Sequence, residues 1–390
     1  MKTTLTSILL ILASCSSTNN SHIARNINST PVALGRLEWR MDVAGLKSET
    51  SDPQTLLGEK MQNLLQQASK DLVATPTLSV MSAFTHEGKL QTDPSYIAFS
   101  TAHKDFAILY RFALCAKSGD EKLADECAKT GRYNLMRWVQ TFKFSGQPMT
   151  EVDFLQVFTS ADLLIDSMPI PDKILLRDWL VSAVKTSDAF YKSKKTTDTS
   201  LINNHNTWRL AVRTIALKII GDSKMLNENS RLISEHAKAN LLPPREWKPD
   251  PKCPNNFNEK TYGSYDFRQR DALHYHVGNL EAWTWMALMV PSQIDANTRK
   301  TILEAFEFLR PYFTGEKVHK EFVCSTIGFD AKRASAGQEG FAGNWKPEQA
   351  YKLLQMARAA FPEIRSWSEA INESRYDIWR ETLAGIQQVK

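Results

Sequence analysis

The 390-residue chain has no apolar run near the roughly 20 residues that a membrane-spanning helix needs, so no segment reads as a transmembrane helix. It also lacks a long block of Lys and Arg, and a net charge of only +5 excludes the basic tail of a nucleic-acid-binding protein. Among five cysteines there is no Cys-x-x-Cys, which removes a dithiol redox motif and a zinc ribbon. Among eight histidines there is no His-Glu-x-x-His, so the zinc-protease helix is missing as well. Alternating apolar and polar runs are few, which argues against a fold built on sheets. What remains is a chain 42% apolar and 10% aromatic, ample for a large core.

The first fifteen residues differ in kind. Lys2 supplies a short positive end, Ile8 to Leu12 an apolar run, and Leu12-Ala13-Ser14-Cys15 a small-residue cleavage site, the pattern of an export signal. Leu-Ala-Ser-Cys resembles the lipobox of bacterial lipoproteins, which implies acylation of Cys15 and membrane contact through that lipid alone. Ser16 in the next position points to the outer membrane, so the expectation is an exported periplasmic or outer-membrane lipoprotein. An ordinary secretory signal with an incidental Cys15 is the competing reading. Residues 16–31, rich in Ser, Thr and Asn, read as a flexible tether, and 32–390 as a single domain. In an oxidising compartment Cys115, Cys127, Cys253 and Cys324 form an even set. Pairing Cys115 with Cys127 across a helix-helix turn, and Cys253 with Cys324, competes with free buried thiols.

Helical periodicity is the dominant pattern. Apolar stripes run over 54–74, 94–117, 121–142, 151–167, 172–192, 203–220, 222–240, 266–289, 296–312, 347–360 and 366–387. Two irregular segments interrupt them: 242–265, with five prolines, and 314–346, rich in Gly and polar residues. The fold class is all-α, in successive antiparallel pairs that close into a toroid or stack as a solenoid.

Two stretches carry chemistry. Leu201-Ile202-Asn203-Asn204-His205-Asn206-Thr207-Trp208 sets amide, imidazole and indole groups where an amphipathic helix begins. Asn203 suits an N-cap, but a single cap does not require Asn204 and His205 as well. The second stretch is Asp266-Phe267-Arg268-Gln269-Arg270-Asp271-Ala272-Leu273-His274-Tyr275-His276. On one continuous helix Arg268 and Tyr275, seven residues apart, share a face about 10 Å apart along the axis. Abstraction of the proton α to a sugar carboxylate needs that carboxylate neutralised, which Asn, His and Arg can do. A Tyr beside a cation can have its pKa lowered until it serves as base and then returns the proton to the leaving oxygen.

Asn203-Asn204-His205-x-x-Trp208, followed by Arg268 and Tyr275-His276, resembles the alginate lyase family of α/α-toroid polysaccharide lyases, over about residues 55–360. The resemblance implies an α/α toroid that cleaves an anionic polysaccharide by β-elimination, with no metal or organic cofactor. Asn204 and Arg268 become carboxylate neutralisers, His205 a neutraliser or second base, and Tyr275 the general base and acid. Trp208, Arg270, His274, His276 and Trp138 become candidates for substrate binding. Many mannuronate lyases of the family have Ser-Tyr where this chain has Asn206-Thr207, and the proline-rich loop is extended. Both departures leave glucuronan or a mixed uronate polymer as competitors to polymannuronate.

Structural readings stand beside these. Tryptophans are core by default, and His274 and His276, two apart on a helix, face opposite sides rather than forming a metal pair. Two other function classes compete: a lipoprotein that only captures glycans, and a hydrolase using carboxylates from Glu151, Asp153, Asp162 and Asp166.

Overall fold

The computed structural model describes residues 33–38, 56–85, 87–242, 263–338 and 340–368. The export signal ending at Cys15, the tether 16–31, Cys253, most of the proline-rich loop and residues 369–387 of the helix expected over 366–387 lie outside the described residues.

The elements follow one another as α1 (Leu56–Ala74), α2 (Pro94–Cys115), α3 (Glu121–Thr141), the short α4 (Pro148–Glu151), α5 (Phe154–Leu164) and α6 (Ile170–Lys192). Next come α7 (Asn204–Ile220), α8 (Ser223–Asn240), β1 (Leu241–Leu242), β2 (Gly263–Ser264), α9 (Tyr265–Arg270), α10 (Leu273–Met289), α11 (Ala296–Phe313), α12 (Gly328–Ser335), α13 (Tyr351–Ala360) and α14 (Arg365–Ser368). The two-residue strands pair antiparallel at the root of the proline-rich loop. They are the only strands among the described residues, and the fold is all-α.

Burial sorts the helices into two layers. All eleven residues of α5 are buried, with fourteen of seventeen in α7 and thirteen of seventeen in α10. By contrast only seven of twenty-one are buried in α3 and five of eighteen in α8. A helix apolar all round belongs inside, and one with a single apolar stripe lies outside. Accordingly α2, α5, α7, α10 and α13 pack in series as an inner row, backed by α1, α3, α6, α8 and α11. Inner helices packed side by side and covered by their antiparallel partners make the α/α toroid.

Local chemistry sets the ends. Asp93, Asp120, Asp222 and Asp295 accept from backbone N–H groups at the starts of α2, α3, α8 and α11. Gly221 ends α7 in the left-handed region at φ 79°, a conformation that costs glycine little. A Cys115–Cys127 disulfide closes the α2–α3 turn, as its spacing suggested. Cys324 is also disulfide-bonded.

Three expectations need correction. The helix expected over 266–289 is two helices, because Asp271 takes a left-handed conformation (φ 49°, ψ 51°) and Ala272 is extended. The helix expected over 151–167 begins at Phe154, after the separate turn α4. The second irregular segment contains a helix, α12, and a β-bridge between Lys320 and Asn344. No described helix is long and apolar enough to cross a membrane.

Candidate active site

At the N-terminus of α7, the Asn203 side chain accepts from the His205 N–H at 2.9 Å, which makes Asn203 the N-cap. The Asn204 N–H donates instead to Asp266 Oδ2 at 2.8 Å, and the same oxygen accepts from Asn279 Nδ2 at 2.8 Å. One buried carboxylate thereby fastens α7 to α9 and α10. Burial pushes its pKa up to about 6, against the hydrogen bond from Asn279 and the charge of Arg270. Asn204 is 4% exposed, and its Oδ1 has no hydrogen-bond partner among the described residues.

The α9–α10 break supplies the opposite wall. The Asp271 carbonyl accepts from Phe322 N–H at 2.8 Å, and its carboxylate accepts from Cys324 N–H at 2.9 Å. Held in this way, the turn leaves Arg270 on one side and presents His274 and Tyr275 from the first turn of α10. The Arg270 guanidinium carbon lies 3.6 Å from the Tyr275 ring centroid, and its Nε donates to Asp330 Oδ2 at 3.0 Å. Asp330, 1% exposed on α12, also accepts from Ser325 Oγ at 2.7 Å. From the same helix Arg333 donates to Tyr275 Oη at 3.0 Å while resting against the rings of Phe329 and Phe341. Arg333 has no carboxylate partner among the described residues, and its Nε has no hydrogen-bond partner there.

These groups line one cleft of about 500 Å³ that includes Glu87, Asn204, His205, Arg270, His274, Tyr275 and Arg333. His205 Nδ1 lies 3.6 Å from Glu87 Oε1. Burial, with Arg270 and Lys194 adding to it, pushes the His205 pKa down to about 4, so the imidazole is neutral at pH 7. His274 is pushed down to about 4 for the same first cause, reinforced by Arg270 and Arg333.

The cleft brings together Asn204, His205, Arg270, His274 and Tyr275, and leaves out several other sequence candidates. Arg268 is not among its lining residues; its guanidinium carbon sits 5.5 Å from the Tyr265 ring centroid. The break at Asp271 removes the shared face on which Arg268 was expected, and Arg270 is the arginine of α9 that lines the cleft. Trp138 is fully buried among Phe106, Phe142 and Phe154. Trp208, 7% exposed, is part of the core. His276 is fully buried, accepting from Ser264 N–H at 3.3 Å with its other nitrogen 3.0 Å from the Ala305 carbonyl oxygen. These three pack the scaffold rather than line the cleft. Asn206 and Thr207 do not line it either; both contact His236, and Thr207 is fully buried.

A lowered Tyr275 pKa was also expected. Burial instead raises it, and the charges of Arg270 and Arg333 oppose that shift without overcoming it, so the phenol keeps its proton at neutral pH. Sequence reasoning did not single out Glu87 or Arg333, which come from a loop and from a segment read as irregular. Among the described residues no group of three or more His, Cys, Asp or Glu is placed to hold a metal ion.

The profile of the protein family described as "Alginate lyase" matches residues 117–319, just over half of the chain. That range carries both stretches of the cleft from Asn203 to Tyr275 but not Arg333. An alginate lyase from Bacteroides ovatus, known from its crystal structure, has a similar fold, with a TM-score of 0.55 at 16% identity. The similarity covers 89% of this chain and 97% of that one. No curated protein sequence matches the chain. The match across the cleft-bearing helices and the shared toroid lead to one conclusion: the chain belongs to the alginate lyase family and is a polysaccharide lyase.

Proposed function

We propose that this lyase cleaves a uronate polymer of the alginate type in the cleft between α7, α10 and α12. The observation that carries the reading is the convergence there of a neutral imidazole, a protonated phenol, the Asn204 side-chain amide and a guanidinium without a carboxylate partner. Arg333 and the Asn204 amide, donating through its Nδ2–H, receive the C5 carboxylate and spread the charge that builds on it as the C5 proton leaves. His205, unprotonated in the free protein, takes that proton. The C5–H electron pair forms the C4–C5 double bond, the C4–O bond breaks, and the Tyr275 phenol protonates the leaving oxygen. Arg270, fixed by Asp330 and stacked on the ring, orients the phenol.

A second reading gives Tyr275 both proton transfers. Two guanidiniums against one phenol favour it, because they stabilise the phenolate that it needs. Variants separate the two. Tyr275→Phe should lower kcat by about 10²–10⁴-fold under either reading, the usual worth of a positioned acid or base. His205→Gln should do the same only where His205 is the base. The readout is the ultraviolet absorbance of the unsaturated uronate on polymannuronate, polyguluronate and glucuronan, with circular dichroism to show that each variant is folded. Full activity of Tyr275→Phe would sink both readings.

A further inference from the structure

Beyond α12 the chain forms a second depression of about 1030 Å³, at the upper end of the roughly 300–1,000 Å³ usual for ligand sites. Its lining includes Gln338, Gly340, Asn344, Trp345, Lys346 and Gln349. It is continuous with the cleft along the chain: Arg333 lines one and Ala334 the other. Gly340 lies between them, since a Cβ there would stand 3.3 Å from Gln349 Nε2 on one side and 3.8 Å from His274 Nδ1 on the other. With φ at +83°, that position favours glycine, which places no side chain between Gln349 and His274.

The wall is tied to the catalytic junction. Trp345 N–H donates to the His319 carbonyl at 2.8 Å, and Glu321 N–H donates to the Gly343 carbonyl at 2.9 Å. The 319–324 segment also holds the Asp271 turn. Two buried polar atoms lack a partner among the described residues, Trp345 Nε1 on a side chain only 6% exposed and Gln338 Oε1. A buried donor and a buried acceptor left unmatched beside an open depression favour a ligand rich in both kinds of group. Lys346 and Glu348 leave the lining without net charge, so amides and an indole N–H share the recognition with a single lining cation, Lys346.

We infer that this depression is a distal subsite for pyranose units of the same glycan, beyond the bond that is cleaved, with Lys346 available to a uronate carboxylate. The inference rests on the lyase reading of the cleft. It predicts that the site matters only to chains long enough to reach it.

The test is the double variant Gln338→Ala/Lys346→Ala and, separately, Trp345→Phe, which keeps the ring and removes the N–H. With long polymannuronate or glucuronan, kcat/KM of the double variant should fall about tenfold, mostly through KM, equivalent to about 1.4 kcal/mol of binding. With a trisaccharide of the same uronate it should change less than twofold, and Trp345→Phe should show a smaller loss of the same length dependence. Equal losses on both lengths, or none on either, would overturn the subsite. Calorimetric titration of the polymer keeps the two claims apart. If the wild type forms no unsaturated product, the lyase reading fails, and weaker polymer binding by the double variant still supports the subsite while unchanged binding rejects it.

Discussion

Tyr275 is held by two arginines in different ways. Arg270 lies over its ring, where it restricts the phenol's orientation, and Arg333 donates to its oxygen. A phenol that accepts from Arg333 keeps its own O–H free to donate, which suits an acid. On the opposite wall Glu87, whose pKa burial raises against the pull of Lys194, faces His205, which becomes positive in the transition state on the reading that makes it the base. An ionised carboxylate 3.6 Å away favours the imidazolium. Glu87→Gln should therefore lower kcat at neutral and alkaline pH while leaving the acid limb of the kcat/KM profile near pH 4 in place, because a carboxyl raised above 4.5 already holds its proton there. An unchanged kcat would remove Glu87 from the proton transfer. Asn204, His205 and Tyr275 were legible in the sequence because unusual polar groups crowd helix starts there. Arg270 lines the cleft and Arg268 does not, because a seven-residue spacing puts two side chains on one face only if the helix is unbroken. Arg333 reaches the cleft from 58 residues beyond Tyr275, and no local pattern marks it.

The break between α9 and α10 is the element on which the site's geometry turns. Buried apolar residues stand on both sides of it, Phe267 before and Leu273, Val277 and Leu280 after, so apolar content alone does not reveal it, although the six-residue step from Phe267 to Leu273 does not keep one helical face. The stop comes from Asp271, whose left-handed backbone is tolerable for Asp and whose carboxylate satisfies the half-buried Cys324 N–H. Asp271→Ala loses both advantages and should cost about 2–4 kcal/mol, from the stranded donor and the left-handed backbone. Asn203→Ala removes a single cap and should cost only about 1 kcal/mol. Denaturant unfolding checks the order, and equal costs would mean that the junction is no more constrained than an ordinary helix end. Activity should fall further for Asp271→Ala, because its turn places Arg270, His274 and Tyr275 together. Elsewhere the helices were legible from their stripes. The eight-residue α12 was not, since a short helix over a Gly-rich segment gives too few turns to show a period.

Over the whole molecule, buried groups of two kinds pull the stability in opposite directions with pH. Burial raises Glu321 to about 8, Glu151 to about 7 and Asp266 to about 6, from usual values of 4.5 for glutamate and 3.8 for aspartate. The folded protein keeps these protons where the unfolded chain has released them, so the stability they allow is complete below about pH 4 and is lost as pH rises through 8. His205, His274 and His276 are lowered to about 4 and His236 to about 3, from the usual 6.5. The unfolded chain takes up those protons first, so this part of the stability is present above pH 6.5 and is lost on acidification through 4. Between about pH 4.5 and 6.5 the two sets nearly cancel. Above that window only the carboxyls act. Below it the histidines act together with surface carboxylates such as Asp93 and Asp198, whose pKa values hydrogen bonds from backbone or hydroxyl groups lower. Thermal unfolding should thus show a broad maximum on the mildly acidic side, with Tm falling from pH 6.5 to 8 as stability declines by roughly 0.5–1 kcal/mol per pH unit. Glu321→Gln keeps an oxygen to accept from the His274 N–H and removes the largest of these proton demands, so it should flatten the alkaline slope. A wild-type Tm that rises across that interval, or a slope unchanged in Glu321→Gln, would show that Glu321 is ionised in the folded protein at neutral pH.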